Sequence, residues 1–350
     1  MTAISKTDPN FNVAHRIDLP DVRFFDVKKY PHFLSGIQYD EQGYFRMPEA
    51  EAAKVSEDVW ELCRNTAGGN IRFVTNSPYV AIRVSAPLGQ IPPHISATGF
   101  VGFDLYRNGV FQGIFPPPQD MAGGYESVVH FLDNAPSQIT IHFPLYGHVD
   151  ALQIGIQEGA LLENAPDFTH NKRVVFYGSS ITQGACVSRP GLSYVNQLAR
   201  KLDCPVLNLG FSGSAQGEIA MAQYIAALKP DVFVMDYEHN APTLEHLQKT
   251  HEPFYRAFRQ LCPKTPVLLL SSPDLPFKRR SRTKRREVIR ATFANGKQDG
   301  DHALYILDGE TFYPKDFWDS CSVDTLHPND IGHLFMAEAI YPVLKEILET

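Results

Sequence analysis

The chain has 350 residues, of which 43% are hydrophobic and 20% are charged, a composition typical of proteins that fold around an apolar core. This length predicts two domains, because a single core rarely grows so large. The net charge of -7 at pH 7 argues against a polyanion as the main partner, so we expect no nucleic-acid ligand.

A membrane span and a metal site are also not expected. No run approaches the ~18 apolar residues of a membrane-spanning helix, and residues 1–10 lack the apolar core of a signal peptide. We therefore expect a cytoplasmic protein that does not bind a membrane, although a secreted form trimmed of its leader would look the same. The odd number and wide scatter of the cysteines indicate a reducing compartment and no metal-ligand spacing. They are Cys63, Cys186, Cys204, Cys262 and Cys321.

The first half of the chain has the period of β-strands. Residues 1–45 predict an irregular lead-in with one strand. From about residue 69, apolar and polar residues alternate in two runs around a turn at residues 75–78. The dipeptide at residues 108–109 is Asn-Gly, a strong hairpin signal because both central residues of a type I′ turn need positive φ. Short strands between turns rich in proline and glycine predict an all-β sandwich over residues 1–168.

Residues 169–350 instead alternate strands with helices. Apolar stripes of helical spacing cover residues 192–202, 219–226 and 330–348. This alternation predicts a parallel sheet with helices on both faces. A polar segment with a proline, at residues 160–171, marks the domain boundary. The predicted strands lie at 173–177, 205–209, 231–236, 266–271 and 304–307.

The first predicted strand of this half ends in a turn with two serines. The apolar run at residues 174–177 breaks at Gly178 and is followed by Ser179 and Ser180. Ligands of open α/β sheets bind at the carboxyl ends of the strands, so a serine placed there can act as a nucleophile. Serine is also a preferred helix cap. The turn alone therefore leaves open both the role and the choice between the two hydroxyls.

A loop ahead of the last predicted helix contains Asp324 and His327. An acid three residues before a histidine can bond the ring Nδ1, which fixes the tautomer and leaves Nε2 to accept a proton. Pro328 keeps the histidine extended and outside the helix. The alternative is that Asp324 and His327 cap the final helix, where Asp330 already offers a cap.

Two further loops follow predicted strands at the same sheet edge. Residues 208–214 contain two glycines, which let the backbone approach a ligand and direct an N–H at a developing negative charge. Residues 236–242 bring an amide donor, Asn240, to that edge. Each loop alone is weak evidence, but a serine, a glycine loop, an asparagine and Asp-x-x-His in this order are rarely a coincidence.

On these residues the second half resembles the SGNH (GDSL-like) hydrolase superfamily, which is named for Ser, Gly, Asn and His in four sequence blocks. The first block matches at residues 178–182, and the resemblance makes Ser180 the nucleophile. The second block matches at residues 208–213, with Gly213 as the oxyanion glycine. The Asp-x-x-His block is the loop before the last helix.

The sequence departs from the family's pattern at two places. Residues 238–241 read Glu-His-Asn-Ala instead of Gly-x-Asn-Asp, and only Asn240 is carried over. Ser179 stands where the Gly-Asp-Ser form has an aspartate, which removes one carboxylate from the site. Elsewhere, residues 102–106 resemble the Gly-x-Asp-Leu-Tyr signature of a β-rich domain that precedes some SGNH hydrolases, and residues 188–191 resemble a loop of the same proteins.

The resemblance implies a flavodoxin-like SGNH hydrolase domain at residues 169–350, preceded by a jelly-roll-like sandwich. It implies a serine esterase in which His327 takes the proton of Ser180 as the hydroxyl attacks an acyl carbonyl, while Asp324 orients the ring. No metal or cofactor is needed. The implied oxyanion donors are the N–H groups of Ser180 and Gly213 and the side chain of Asn240.

The substrate class is predicted from architecture alone. A sandwich ahead of an SGNH domain resembles the layout of carbohydrate esterases that remove acetyl groups, so the expected partner is a small-molecule ester, first of all an acylated sugar. The alternatives are a lipase or thioesterase acting on longer acyl chains, and a carbohydrate-binding relative without catalysis. A homo-oligomer is left open. Candidate substrate contacts are Ser179, Arg189, Tyr237 and His239.

Residues 278–286 carry seven positive charges in nine positions. Such a run can bind nucleic acid or an anionic surface. The favoured interpretation is a solvated loop and helix start, because no aromatic residues are interleaved for stacking on bases.

Overall fold

The computed structural model describes residues 13–87, 90–118, 124–273 and 279–350. These residues form two compact units. The first comprises residues up to 45 together with 65–166 and 188–191, and the second comprises residues 46–64, 167–187 and 192–350. The sequence predicts domains at 1–168 and 169–350, whereas residues 46–64 and 167–168 lie in the second unit and residues 188–191 lie in the first.

The first unit is built from antiparallel strands. Its strands are β1 (Val22–Asp26), β2 (Leu34–Ser35), β3 (Gln38–Tyr39), β4 (Tyr44–Phe45), β5 (Asn70–Thr75), β6 (Tyr79–Ser85), β7 (Phe103–Arg107), β8 (Val110–Phe115), β9 (Tyr125–His130), β10 (Ser137–His142), β11 (Ala151–Gln157) and β12 (Glu163–Asn164). One sheet has the order β1-β11-β6-β9, the other has the order β12-β5-β10-β7-β8 with β2 beside β5, and β3 pairs with β4.

The two larger sheets of this unit share one apolar core. Ile82 and Ile154 from the first sheet and Phe73 and Ile139 from the second are fully buried in the same cluster. Alternate residues of a strand face the same side, so the period-two pattern places this apolar set inward. The antiparallel, β-rich character that the sequence predicts for the first half is confirmed.

The two predicted turns of the first unit have different outcomes. At the Asn-Gly dipeptide, Asn108 and Gly109 have φ values of 49° and 78°, and β7 pairs with β8 as a hairpin. Strands β5 and β6 flank the other turn but belong to different sheets. There the hydroxyl of Ser77 donates to the carbonyl of Tyr79 on β6 and accepts from the N–H of Gln157 on β11. These bonds attach the turn to the sheet that contains β6 and β11.

The second unit contains a five-stranded parallel sheet. Its order is β14-β13-β15-β16-β17, the flavodoxin-like arrangement in which the chain steps outward on both sides of the first strand. This confirms the predicted fold class. The strands are β13 (Val174–Gly178), β14 (Val206–Gly210), β15 (Val232–Asp236), β16 (Val267–Leu270) and β17 (Leu304–Leu307).

Both faces of this sheet are covered by helices. Val175 and Phe233 point into one buried cluster, whereas Val174 and Val232 point into another, so the strands read as continuous apolar runs. Met47 from the N-terminal half packs in the first of these clusters. The helices of this unit are Glu49–Ala52, Glu57–Leu62, Ser180–Gln183, Tyr194–Leu202, Ile219–Ala227, Leu244–Leu261, Arg279–Gln298 and Asp330–Glu349.

Three of these helices have no counterpart among the predicted elements, namely Glu49–Ala52, Glu57–Leu62 and Leu244–Leu261. Leu244–Leu261 contains Pro253, a residue that normally ends a helical prediction. Arg279–Gln298 begins inside the basic run, where the sequence favours a helix start, although no apolar stripe marks its length. None of the helices in the described ranges has both the length and the apolarity needed to cross a membrane.

Candidate active site

The turn with two serines lies between β13 and the helix Ser180–Gln183. Ser179 is fully buried, and its hydroxyl accepts a hydrogen bond of 3.2 Å from the N–H of Ile181. It is therefore the cap of this short helix. Ser180, 8% exposed, begins the helix, and its Oγ lies 3.0 Å from Nε2 of His327. The hydroxyl of Ser179 thus caps the helix, whereas that of Ser180 faces the ring of His327.

A chain of three side chains runs from Ser180 through His327 to Asp324. Oδ2 of Asp324 lies 2.7 Å from Nδ1 of His327. Burial alone would raise the pKa of Asp324, but hydrogen bonds from the main chain and ring of His327 and from the N–H of Leu326 lower it to about 2. The ionised carboxylate requires Nδ1 to carry the proton, so Nε2 is left to accept the proton of Ser180.

The loop around His327 is shaped by its own hydrogen bonds. Thr325 has a φ of 71°, and the N–H of Val323 donates to the carbonyl of His327. The last helix is capped by Asn329, whose Oδ1 accepts from the N–H groups of Ile331 and Gly332. The interpretation of Asp324, His327 or Asp330 as the cap is therefore wrong, because the capping position falls on Asn329.

Two glycines at the ends of β13 and β14 allow the turn with two serines to pack tightly. Gly178 and Gly210 are register partners. A Cβ on Gly210 would lie 2.3 Å from the main-chain nitrogen of Gln183, and one on Gly178 would lie 2.5 Å from the carbonyl oxygen of Asp236. The N–H of Phe211 donates to the carbonyl of Gly178 at 2.8 Å, so the glycine loop begins against the serine turn.

The predicted oxyanion donors lie on loops that are joined to this turn. Gly213 has a φ of 74°, a left-handed conformation that glycine adopts without strain. The N–H of its neighbour Ser212 donates to Oε1 of Gln183 at 3.0 Å. The side-chain amide of Asn240 donates to the carbonyl of Phe211 at 2.8 Å. An amide nitrogen carries two hydrogens, so this bond uses one donor and leaves a second.

The other predicted substrate contacts are placed differently. Tyr237 is 1% exposed, lies in the core, and its hydroxyl is 2.9 Å from that of Thr250, so it supports the sheet from within. His239 is half-buried in the turn beside Asn240. Arg189 belongs to the first unit, where it forms an ion pair of 2.8 Å with Asp104. Ser179 is committed to capping.

Sequence reasoning missed a buried carboxyl at the end of β15. Oδ2 of Asp236 accepts hydrogen bonds from Thr182 at 2.9 Å and from Tyr194 at 2.8 Å, and its carbonyl accepts from the N–H of Ser179. Complete burial raises the pKa of Asp236 to about 7, against the lowering effect of its two hydroxyl partners. The only sequence signal was its position at the carboxyl end of a predicted strand.

A buried histidine supports the same region. Nδ1 of His333 accepts from the N–H of Tyr194 at 3.2 Å, and its Nε2 lies 3.1 Å from the carbonyl of Ala185. Burial lowers the pKa of His333 to about 4, so the ring is neutral and donates from Nε2. It joins the last helix to the segment that follows Ser180.

The end of the basic run contributes to the structure. Arg285 donates to the carbonyls of Glu238 and Ala241 at 2.9 and 2.8 Å, on either side of Asn240. Arg286 is buried and pairs with Asp308. Arg286 is therefore internal and Arg285 is half-buried, whereas the sequence favours a solvated loop and helix start over the whole run. Residues 274–278 lie outside the described residues.

Comparison with known proteins identifies both halves. Residues 171–345 match the GDSL-like Lipase/Acylhydrolase family, and residues 22–162 match the N-terminus of Esterase_SGNH_hydro-type. A comparison with curated protein sequences finds no match.

Three solved structures are similar over nearly the whole chain. A Bacteroides ovatus protein described as a GDSL-like lipase has 26% identity and a TM-score of 0.84, covering 94% of this chain and 98% of the other. A salicylyl-acyltransferase from a tetracycline biosynthetic pathway has 19% identity and a TM-score of 0.72, covering 94% and 95%. A family two carbohydrate esterase from Cellvibrio japonicus has 12% identity and a TM-score of 0.62, covering 94% and 98%. The chain belongs to the GDSL-like lipase/acylhydrolase family and is an ester-cleaving serine hydrolase.

Proposed function

We propose that the protein removes small acyl groups, first of all acetyl, from esters of carbohydrates through an acyl-enzyme on Ser180. The observation that carries the proposal is the unbroken path of hydrogen bonds from Ser180 through His327 to Asp324, with lengths of 3.0 and 2.7 Å. A serine hydroxyl is a weak nucleophile until a neighbouring base can take its proton. This path supplies that base and its orienting acid.

In the first half of the reaction, Oγ of Ser180 bonds to the acyl carbon and its proton passes to Nε2 of His327. The carboxylate of Asp324 stabilises the imidazolium that forms. The carbonyl oxygen becomes an oxyanion, which the N–H groups of Ser180 and Gly213 and the Asn240 amide would bind. The tetrahedral intermediate collapses as the alcohol leaves with the proton of His327.

The second half repeats these steps with water as the nucleophile. His327 takes a proton from water as its oxygen attacks the acyl-enzyme, and then returns the proton to Oγ of Ser180 as the acid is released. Atoms and charge balance without a further reactant.

The choice of a sugar ester is supported by likeness of architecture. The Cellvibrio japonicus carbohydrate esterase shares the fold over nearly its entire length. At 12% identity this likeness concerns the fold, so the acyl and alcohol parts of the substrate belong to the proposal.

A second candidate is acyl transfer to an alcohol other than water. It is favoured by the TM-score of 0.72 with the salicylyl-acyltransferase, which is higher than that with the carbohydrate esterase. The same acyl-enzyme serves both reactions, and they differ only in the acceptor. Product analysis with a sugar alcohol present during turnover would separate hydrolysis from transfer.

The neighbouring serines provide a matched test of the nucleophile. We expect Ser180→Ala to reduce hydrolysis of p-nitrophenyl acetate by about 10⁴-fold or more, and Ser179→Ala to keep most of the activity while losing about 1 kcal/mol of stability with the cap. Full activity in folded Ser180→Ala would disprove the assignment.

Substrate class is tested with acetylated sugars beside p-nitrophenyl esters of rising acyl length. Preference for acetylated sugars supports the proposal, whereas preference for long chains indicates a lipase or thioesterase. A wild-type protein that neither turns over an ester nor reacts with a fluorophosphonate probe is a relative without catalysis.

A further inference from the structure

Arg46 is a fully buried arginine in the second unit that no sequence motif singles out. Its Nη1 donates to the carbonyls of Asn208 and Gly210 at 3.0 and 2.6 Å, and its Nη2 donates to the carbonyl of Leu62 at 2.9 Å. The carbon of the guanidinium lies 4.9 Å from the centre of the Phe211 ring. The side chain therefore binds the end of β14 and the first residue of the glycine loop.

The residues that Arg46 holds connect the three blocks of the site. The N–H of Phe211 donates to the carbonyl of Gly178, next to the serine turn. The carbonyl of Phe211 accepts the side-chain amide of Asn240. Gly213 lies two residues further along the same loop. A shift at Gly210 or Phe211 would consequently move both proposed oxyanion donors relative to Ser180.

The chemistry of arginine explains why this position suits it. A guanidinium remains charged at every accessible pH and offers five N–H donors in a planar fork, so it can bind several carbonyls at once. Burying a charge is costly unless hydrogen bonds replace its hydration, and here three carbonyls and an aromatic face surround it. A lysine has a single ammonium group and cannot reproduce this fork.

We propose that Arg46 is a positioning residue for the oxyanion loop. It fixes the carbonyls of Asn208 and Gly210 and thereby sets the places of the Gly213 N–H and the Asn240 amide. This inference rests on the proposed role of Ser180. The residue lies outside residues 171–345, the part of the chain that matches the hydrolase family, so the hydrolase unit depends on a segment encoded more than a hundred residues earlier.

A positioning role predicts a loss in turnover more than in binding. Displacing oxyanion donors by about 1 Å weakens interactions made in the transition state, and such misplacement can cost about 10²-fold in rate. We expect kcat of Arg46→Met for p-nitrophenyl acetate to fall by about that factor with KM nearly unchanged, and Arg46→Lys to be intermediate.

The experiment compares these variants with Arg64→Met as a matched control. Arg64 lies in the same segment and pairs with Glu49. Thermal unfolding is recorded for every variant. If Arg46→Met fails to fold, Arg46→Lys replaces it in the kinetic comparison. Guanidinium chloride at millimolar concentration, compared with sodium chloride at equal ionic strength, should raise kcat of Arg46→Ala and leave the control unchanged.

Wild-type kcat in folded Arg46→Met and Arg46→Lys would overturn the inference. It would also fail if KM rose while kcat was kept, or if activity fell in proportion to stability without rescue by guanidinium. Failure of the proposed function has a different signature, because Ser180→Ala would then match the wild type. Loss of activity in Ser180→Ala together with full activity in Arg46→Met overturns only the role of Arg46.

Discussion

The hydroxyl of Tyr194 donates a hydrogen bond of 2.8 Å to the carboxyl group of Asp236, in a fully buried position next to the serine turn. The same carboxyl oxygen accepts the hydroxyl of Thr182, which belongs to the helix that begins at Ser180. The orientation of this helix is therefore set partly by a group whose protonation changes near neutral pH.

Asp236→Asn tests the linkage between this carboxyl and stability. In the folded protein the pKa is raised from 3.8 to about 7, so the folded state holds a proton that the unfolded chain has lost. The stability that the protonated carboxyl of Asp236 contributes is fully present below pH 3.8 and is lost as pH rises through about 7. Over this window we expect the unfolding free energy of the wild type to fall by up to about 4 kcal/mol relative to the asparagine variant, at about 1.4 kcal/mol per pKa unit.

Urea denaturation at several pH values measures this difference. Asparagine keeps an oxygen acceptor for both hydroxyls, so the variant should fold and hydrolyse esters. Parallel stability profiles for the two proteins would contradict the raised pKa of Asp236.

Asp324→Asn should reduce kcat by about 10⁴-fold, because an amide at this position no longer selects the tautomer with the proton on Nδ1. The pKa of about 2 keeps the wild-type carboxylate ionised at any pH well above that value. Asp324 therefore does not change its charge between pH 5 and 9, and we expect the pH profiles of the wild type and the variant to have the same shape over this range. The pH dependence of kcat/KM in both proteins provides the check, and near-normal turnover in the variant would remove Asp324 from the mechanism.

Asn240→Asp removes the N–H donor of the side chain and keeps its shape. The two side chains are nearly isosteric, but an ionised carboxylate donates no hydrogen bond. We expect kcat to fall by about 10²–10³-fold, the usual effect of losing one oxyanion donor, with a smaller change in KM. Steady-state kinetics on p-nitrophenyl acetate give both constants. Unchanged kcat would place the oxyanion elsewhere.

Gly210→Ala, at the end of β14, and Gly213→Ala, in the loop that follows, form a matched pair. At Gly210 the new Cβ would meet the main chain of Gln183 at 2.3 Å, so we expect a loss of at least about 1–3 kcal/mol and displacement of the serine turn. At Gly213 a Cβ meets no heavy atom of the described residues within 4 Å, and only the φ of 74° is unfavourable, at about 1–2 kcal/mol. Chemical denaturation should rank Gly210→Ala as the less stable variant; the reverse order would show that backbone strain outweighs the contact.

The strands of the parallel sheet could be predicted because burial on both faces leaves an apolar run that ends sharply at a glycine or polar residue. Strand β13 begins one residue after the predicted start and ends at Gly178, where the pattern breaks. The pair Asp324 and His327 could be predicted because both partners lie within four consecutive residues of one loop.

Partners far apart in sequence could not be predicted. Asp236 and Tyr194 are separated by 42 positions, and no local pattern marks either one. Period two identifies β5 and β6 as strands but carries no information on pairing, so their placement in different sheets was missed. Arg46 looked like an ordinary charged residue, because only its distant carbonyls make its burial favourable.

The span between Arg46 and Gly210 also has a consequence for synthesis. The carbonyl acceptor follows the guanidinium by 164 residues, so at about 5–20 residues per second a ribosome needs roughly 8–33 s to produce it. During that interval the apolar side chains of residues 46–64 stay exposed to solvent, because the parallel sheet against which they pack has not yet formed. A nascent chain stalled before β14 should therefore bind hydrophobic chaperones through this segment and release them once the strand emerges.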